Sequence, residues 1–365
     1  MIIILKINMS NKRPIEEERS ESYDFAKRQK IMPASRYPDH SGEDIWARMI
    51  FTKEHVKGMT SRSRGNVNNF KPHVSGTDVR NYLQKDPLVD WLEHYFSMGL
   101  LQLDEPMHAP SQTKSRKTRI SSNIMTRSKK RKQIDVNKEA SYLSVLFEHG
   151  NEFEDKVVEY LYNYHRPYIT TINTTNRYGS TRYNFKKTIR AMMDGIPIIN
   201  QAVLFNDKNN TMGTADLLVR SDYINKLVGQ QVLNEQEQTY KASKLTGNYH
   251  YRVIDIKWTT MILCADGKNI RNEGRFPSYK GQLAIYNCAM GEVQGYTPRQ
   301  AYIMAKAWKI DKKGEEQEGY NCFDLLGVID YNKFDYQFIE KTADAINWIQ
   351  DVRKYGADWD PKNSC

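Results

Sequence analysis

Two short runs of β-forming residues, each interrupted by one acidic side chain, constrain this chain more than any other feature. The first is Gly213-Thr214-Ala215-Asp216-Leu217-Leu218-Val219. It follows the turn-forming Asn206-Asp207-Lys208-Asn209-Asn210 and the apolar Gln201-Ala202-Val203-Leu204-Phe205, which together read as a hairpin. The second is Tyr251-Arg252-Val253-Ile254-Asp255-Ile256-Lys257-Trp258. Side chains alternate along a strand, so Val253, Asp255 and Lys257 share one face while Ile254, Ile256 and Trp258 share the other. A carboxylate and an ammonium therefore project together, and if the strands are neighbours Asp216 joins them. Two meanings fit this pattern. One is a same-face ion pair, with Asp216 capping a turn. The other is a group able to act on phosphate: a hard cation takes one or two carboxylates plus waters and phosphate oxygens, and a lysine holds water or offsets charge.

A third acid is placed by helical rather than strand periodicity. From about Tyr142 to Tyr164, Phe147, Gly150, Val157, Val158 and Leu161 fall on one stripe with Glu154 inside it, whereas Glu152, Asp155, Lys156 and Glu159 lie off it. A core-facing carboxylate requires a cation, a donor or a metal. Ile169 to Ile172 and Gly195 to Asn200 read as strands, with Asp194 as a turn residue and residues 221–250 as a polar insertion. Tyr279 to Met290 reads as a helix that puts Gln282 and Tyr286 one turn apart on one face. Ala301 to Trp308, which includes Lys306, and Leu325 to Tyr331 return as strands, and a helix from about Phe334 to Tyr355 closes the chain.

The remaining third is dominated by charge. The net charge is +10 over 365 residues, which favours an acidic partner: nucleic acid or an anionic surface. Residues 114–132 hold nine lysines and arginines and no acid, ending in Lys129, Lys130, Arg131 and Lys132; such a run is either a solvated linker or an arm that binds a phosphate backbone. Residues 1–42 read as a disordered basic tail, with Lys12-Arg13 and Lys27 to Lys30 as either solvated charge or a nuclear-entry signal. Met1-Ile2-Ile3-Ile4-Leu5 is too short to span a membrane and lacks a signal-peptide layout, and Met9 reads as the start of a soluble segment. Residues 43–113 read as an N-terminal helical segment: Ile45, Trp46, Met49 and Ile50 have helical spacing, Ser75 to Asp78 offer N-cap chemistry, and Pro87 opens a further helix. Residues 114–139 form the basic arm or linker, and residues 140–365 the main domain. Four scattered cysteines, Cys264, Cys288, Cys322 and Cys365, have no ligand spacing for zinc or iron-sulfur, and their low number points to a reducing, intracellular compartment.

In chain order the motifs are Gly150-x-x-x-Glu154, Gly213-x-x-Asp216, Asp255-Ile256-Lys257 and Gln282-x-x-x-Tyr286. This order resembles the RecB-like, lambda-exonuclease-like branch of the PD-(D/E)xK nucleases, over roughly residues 140 to 310. The resemblance implies an α/β fold with a restriction-endonuclease-like core, a mixed central sheet flanked by helices. It implies a magnesium- or manganese-dependent deoxyribonuclease, chiefly an exonuclease, acting in viral DNA processing or in defence against foreign DNA. Glu154, Asp216, Asp255 and the Ile256 carbonyl would hold the metal. Lys257 would act on the water rather than on the core, and Gln282 and Tyr286 would buttress the site or touch the DNA backbone. Lys129, Lys130, Arg131, Lys132 and Lys306 are the expected DNA contacts, no membrane partner is implied, and relatives often form rings or dimers. CRISPR-associated members of the branch usually carry four cysteines around an iron-sulfur cluster. This chain departs from that pattern, and no cluster is expected.

Overall fold

The computed structural model describes residues 44–49, 73–97, 148–172, 182–312 and 314–359, all within the compact unit His40–Cys365. In chain order the elements are β1 (Val74–Ser75), α1 (Arg80–Leu83), α2 (Leu88–Ser97), α3 (148–164), β2 (Ile169–Thr171), α4 (Arg182–Met193), β3 (Ile198–Asn206), β4 (Thr211–Arg220), α5 (Ile224–Leu227), α6 (Glu235–Gln238), β5 (Tyr251–Leu263), α7 (Phe276–Gln294), β6 (Gln300–Lys312), β7 (Glu315–Gly319), β8 (Gly327–Asp330) and α8 (Gln337–Tyr355). The fold is α/β: one mixed eight-stranded sheet flanked by helices. Its order is β2-β3-β4-β5-β6-β7, with β1 beside β4 and β8 beside β6.

The frame of the sheet is the unit β5-α7-β6. Parallel strands need a crossover, and α7 supplies it, entered through Pro277 in its first turn and ended by Gly295 in the left-handed region at φ +75°. The alternation read from the sequence sorts β5 between two cores. Val253 lies with Ile303, Ala305, Leu283 and Tyr286 on the α7 side. Ile254 and Ile256 lie with Tyr302, Met304, Val157 and Leu161 on the α3 side. Each such fully buried aliphatic side chain contributes about 1.5–3 kcal/mol.

Several elements differ from expectation. Residues 45–49 form only a 3-10 turn, Ala47–Met49, because burial pins it: Asn209 donates to the Met49 carbonyl at 2.7 Å and Trp46 meets the Tyr331 ring edge-on at 5.2 Å; Ile50 lies outside the described residues. Ser75 and Asp78 do exchange hydrogen bonds, but the helix that follows has four residues and ends where Lys85 takes φ +66°. The helix opened by Pro87 forms as α2, and Trp91 and Tyr95 tie it to α8 by donating to the Gly356 and Val352 carbonyls. Helix α4 escaped the periodicity reading because half of its buried stripe is polar, Asn184 and Thr188 preceding Ala191 and Met192. Strand β7, Glu-Glu-Gln-Glu-Gly, has no β-former; it pairs because Lys309 of β6 lies 2.8 Å from Glu316 and 3.1 Å from Glu318. Residues 221–250 are less of a polar surface insertion than expected, since they bury Leu227, Leu233, Leu245 and His250. The tail and the whole 114–139 segment, with Lys129, Lys130, Arg131 and Lys132, lie outside the described residues. Among the described residues no helix is long and apolar enough to cross a membrane, and Cys264, Cys288 and Cys322 are free thiols.

Candidate active site

The hydrogen-bonded pairing of β4 with β5 runs from Arg220↔Tyr251 to Leu217↔Ile254 and stops there. The next two residues are Asp216 and Asp255, so the strands part at the two acids. Where the backbone ladder ends, the Asp216 side chain takes over: its Oδ2 accepts the Ile256 N–H at 2.7 Å. Lys257 projects to the same place, its Nζ 2.5 Å from Asp255 Oδ2 and 3.8 Å from Asp216 Oδ2. Asp255 is 1% exposed; its Oδ2 faces the Lys257 ammonium, and its Oδ1 has no hydrogen-bond partner among the described residues. Burial pushes the Asp255 carboxyl upward, the Lys257 ammonium pulls it back and Asp216 pushes it up again, with a net rise. Burial pulls Lys257 down, but Asp255 and Asp216 more than offset that and leave it above the ordinary lysine value. An ammonium this close keeps its partner ionic.

Glu154 reaches the same group from α3. It is half-buried, and its Oε1 accepts from the Gln201 side-chain amide. Burial first, then repulsion from Asp216, pushes its pKa up to about 7 against the pull of Lys257 and Gln201. Glu152, two residues away, is 58% exposed and pairs with Lys156 at 2.6 Å. The helical stripe is therefore as read at Val157, Leu161 and Glu154, with Phe153 and Tyr160 also packed beneath it. Phe147 is outside the described residues. A Cβ at Gly150 would meet nothing within 4 Å among the described residues.

Gln201 was not legible in the sequence. It stands opposite Asp216 in a β3–β4 register that is unchanged on either side, Asn200↔Leu217 and Ala202↔Ala215, yet that one rung is missing. Its φ is +53°, a left-handed conformation in mid-strand that costs a non-glycine residue about 1 kcal/mol or more. The turned-out backbone aims its amide at Glu154, while the neighbouring Asn200 amide donates to the Asp216 carbonyl at 3.1 Å.

Gln282 and Tyr286 share a face of α7 as expected. Gln282 Nε2 donates to the Tyr286 hydroxyl at 2.9 Å, and burial raises the Tyr286 pKa. The ring lies so close to β4 that a Cβ at Gly213 would enter it, and one at Gly76 would press on the Gln282 Cγ at 2.8 Å. The glycine of Gly213-x-x-Asp216 is thus a packing requirement of Tyr286. Lys306 lies over the Trp258 ring, 3.9 Å from its centroid, on the α3 side of the sheet.

With all three carboxylates ionised, the one ammonium leaves two negative charges. That remainder, the oxygen-only donors and the unpartnered Oδ1 of Asp255 suit a hard divalent cation. The carboxylates surround Lys257 rather than a common point: among the described residues no three His, Cys, Asp or Glu side chains already form a metal-binding group. Comparison with known proteins adds nothing to this geometry: no family model matches the chain, and no curated protein matches it.

The raised Glu154 pKa fixes the sign of a pH effect. The folded protein binds that proton more tightly than the unfolded chain, so the stabilising contribution is full below about pH 4.5 and lost as pH rises through about 7. Glu154→Gln keeps the Gln201 hydrogen bond and removes the charge. It should raise the metal-free melting temperature by a few degrees at pH 8 and leave it unchanged near pH 4.5, while impairing metal-dependent cleavage. Glu152→Gln loses only a solvent-screened, exposed pair with Lys156 and should change neither. Thermal melts at the two pH values and a cleavage assay decide this; a Glu152 variant that loses activity while the Glu154 variant keeps it overturns the assignment.

Gln201→Gly separates strain from function in another way. Glycine accepts φ +53° without penalty, so metal-free stability should hold or rise. Glu154 loses its donor, and cleavage should fall about tenfold, the scale of losing one oriented hydrogen bond. Full activity in this variant would remove Gln201 from the site.

Proposed function

We propose that this chain is a divalent-metal-dependent deoxyribonuclease built on the PD-(D/E)xK core of the RecB-like branch, hydrolysing DNA phosphodiester bonds chiefly from ends. The observation that carries this reading is the buried Asp255 carboxylate at the point where two strands separate, its Oδ2 against Lys257, its Oδ1 without a hydrogen-bond partner among the described residues, and Asp216 beside it. A structural ion pair needs one carboxylate, whereas here two share one ammonium and a third approaches through Gln201.

In this reading Glu154, Asp216, Asp255 and the Ile256 carbonyl would hold magnesium or manganese, which would supply acidification of a water and neutralisation of phosphate charge. Lys257 contributes a fixed positive charge to the phosphate and three N–H donors to orient the water; Asp255 holds it in place. Asp216 keeps β4 and β5 in a defined splay through the Ile256 N–H. Tyr286, fixed by Gln282 and fitted to Gly213, closes the α7 side. The +10 net charge suits a polyanionic partner.

A time course on end-labelled linear DNA and on closed circles, with magnesium, manganese, calcium or chelator, tests this. Degradation should require magnesium or manganese and stop in chelator, with linear DNA consumed faster than circles. DNA binding without cleavage in any metal would make the chain a binding module on the same fold.

A further inference from the structure

Trp258 follows Lys257 where the β5–β6 register slips between Lys257 and Thr260, an irregularity of the kind that re-aims a side chain. Its partly exposed ring meets three neighbours. The Lys306 ammonium lies 3.9 Å from the ring centroid. The exposed His149 ring lies 5.8 Å away and 27° from parallel, and Phe153 lies 5.5 Å away at 55°. Phe153 precedes Glu154 and Trp258 follows Lys257, so this group adjoins the carboxylate site in sequence on both elements. It occupies the α3 side of the sheet, whereas Asp255 and Lys257 face α7.

Lys306 has no carboxylate at ion-pair distance among the described residues, while the other cation near the site, Lys257, has two. Desolvation already works against its charge. A half-buried ammonium held on an indole, with no anion to answer it, is suited to a phosphate oxygen. The His149 ring shows that a flat heteroaromatic group fits against Trp258 in near-parallel stacking. A nucleotide offers both groups at once.

We propose that Trp258, Lys306 and His149 form a nucleotide subsite beside the carboxylates, in which an unpaired DNA base stacks on the indole in the manner of His149 and its phosphate pairs with Lys306. This rests on the nuclease reading of the adjoining site. It assigns the substrate class: DNA whose nucleotide at the cleavage point is unpaired, as in a single strand or a frayed end, because a base inside a duplex has both faces covered by its neighbours.

Binding in chelator isolates this subsite from cleavage. The probe is a single-stranded oligonucleotide carrying 2-aminopurine, compared with a blunt duplex of the same length. Stacking quenches the probe, so wild-type protein should quench it, while Trp258→Ala should lose the quench and bind the single strand about tenfold more weakly, with duplex affinity within about twofold of wild type. Trp258→Phe keeps a flat ring and should retain most of both. Lys306→Ala should reduce the salt dependence of single-strand binding by about one phosphate contact; it is also the independent readout if Trp258→Ala melts below assay temperature. An unchanged quench in Trp258→Ala, equal losses on single strand and duplex, or an unchanged salt slope in Lys306→Ala overturns the proposal. Failure of the nuclease reading looks different: wild-type protein then shows the quench but cleaves nothing in any metal.

Discussion

Replacing Lys257 with alanine should lower cleavage by about 10³-fold or more and, in the same variant, lower metal-free stability by about 3–5 kcal/mol. The second effect separates the structure from the sequence reading, in which Lys257 acted on water and the fold was indifferent to it. Asp255 is 1% exposed and Lys257 is its only cation within ion-pair distance among the described residues. Removing the ammonium leaves a buried charge uncompensated, and the carboxyl must then either protonate or unfold its surroundings. The double variant Lys257→Ala/Asp255→Asn should regain most of the lost stability and none of the activity. Magnesium should recover part of it in the single variant, by the mass action of a ligand that binds only the folded state. Denaturant melts with and without magnesium, beside the cleavage assay, measure all three. A Lys257→Ala protein as stable as wild type in chelator would mean that Asp255 is already neutral and that the pair is not ionic.

Lys280→Met should destabilise the protein by a similar amount, about 3–5 kcal/mol, for a reason unrelated to chemistry on DNA. Lys280 and Asp335 are both 0% exposed and 2.6 Å apart. The ammonium also donates to the Ile270 carbonyl at 2.6 Å and to Asn272 Oδ1 at 2.7 Å, while Asp335 Oδ2 accepts the Asp330 N–H at 3.0 Å. The Tyr331 hydroxyl donates to the Lys280 carbonyl at 2.6 Å. One lysine thus fastens the start of α7 to the loop after β5 and to the turn before α8. Methionine fills the space but abandons Asp335. Lys280→Met/Asp335→Leu removes both charges and should recover most of the loss in a denaturant titration; a double variant no more stable than the single one would show that the anchored geometry, not the abandoned charge, carries the effect.

What could be read from the sequence was what local periodicity fixes. The period of two put Asp255 and Lys257 on one face, and the period of 3.6 put Gln282 beside Tyr286 and turned Glu154 rather than Glu152 inward. The features that escaped depend on tertiary placement. Gln201 carries no mark in the sequence, because its role follows from a left-handed backbone that the opposing Asp216 and the approach of α3 impose. Lys280 looked like an ordinary helical lysine, since its partner lies 55 residues further on. The polar stripe of α4 and the all-polar β7 broke the patterns by which helices and strands are found. The gathering of Asp216 with Asp255 needed the strand neighbourhood to be assumed; the structure supplies it, together with the early end of the ladder between them.

That early end divides the sheet mechanically. β2, β3 and β4, with β1, form one leaf, and β5, β6, β7 and β8 form the other; four residue pairs, Leu217 to Arg220 against Ile254 to Tyr251, are the backbone seam between them. The acids stand at the open end of that seam, one on each leaf. A change in the angle between the leaves therefore alters the spacing of Asp216 and Asp255 directly through the backbone. The Asp216 bond to the Ile256 N–H acts as a clasp at the opening, so a load on either leaf reaches the carboxylates through the backbone.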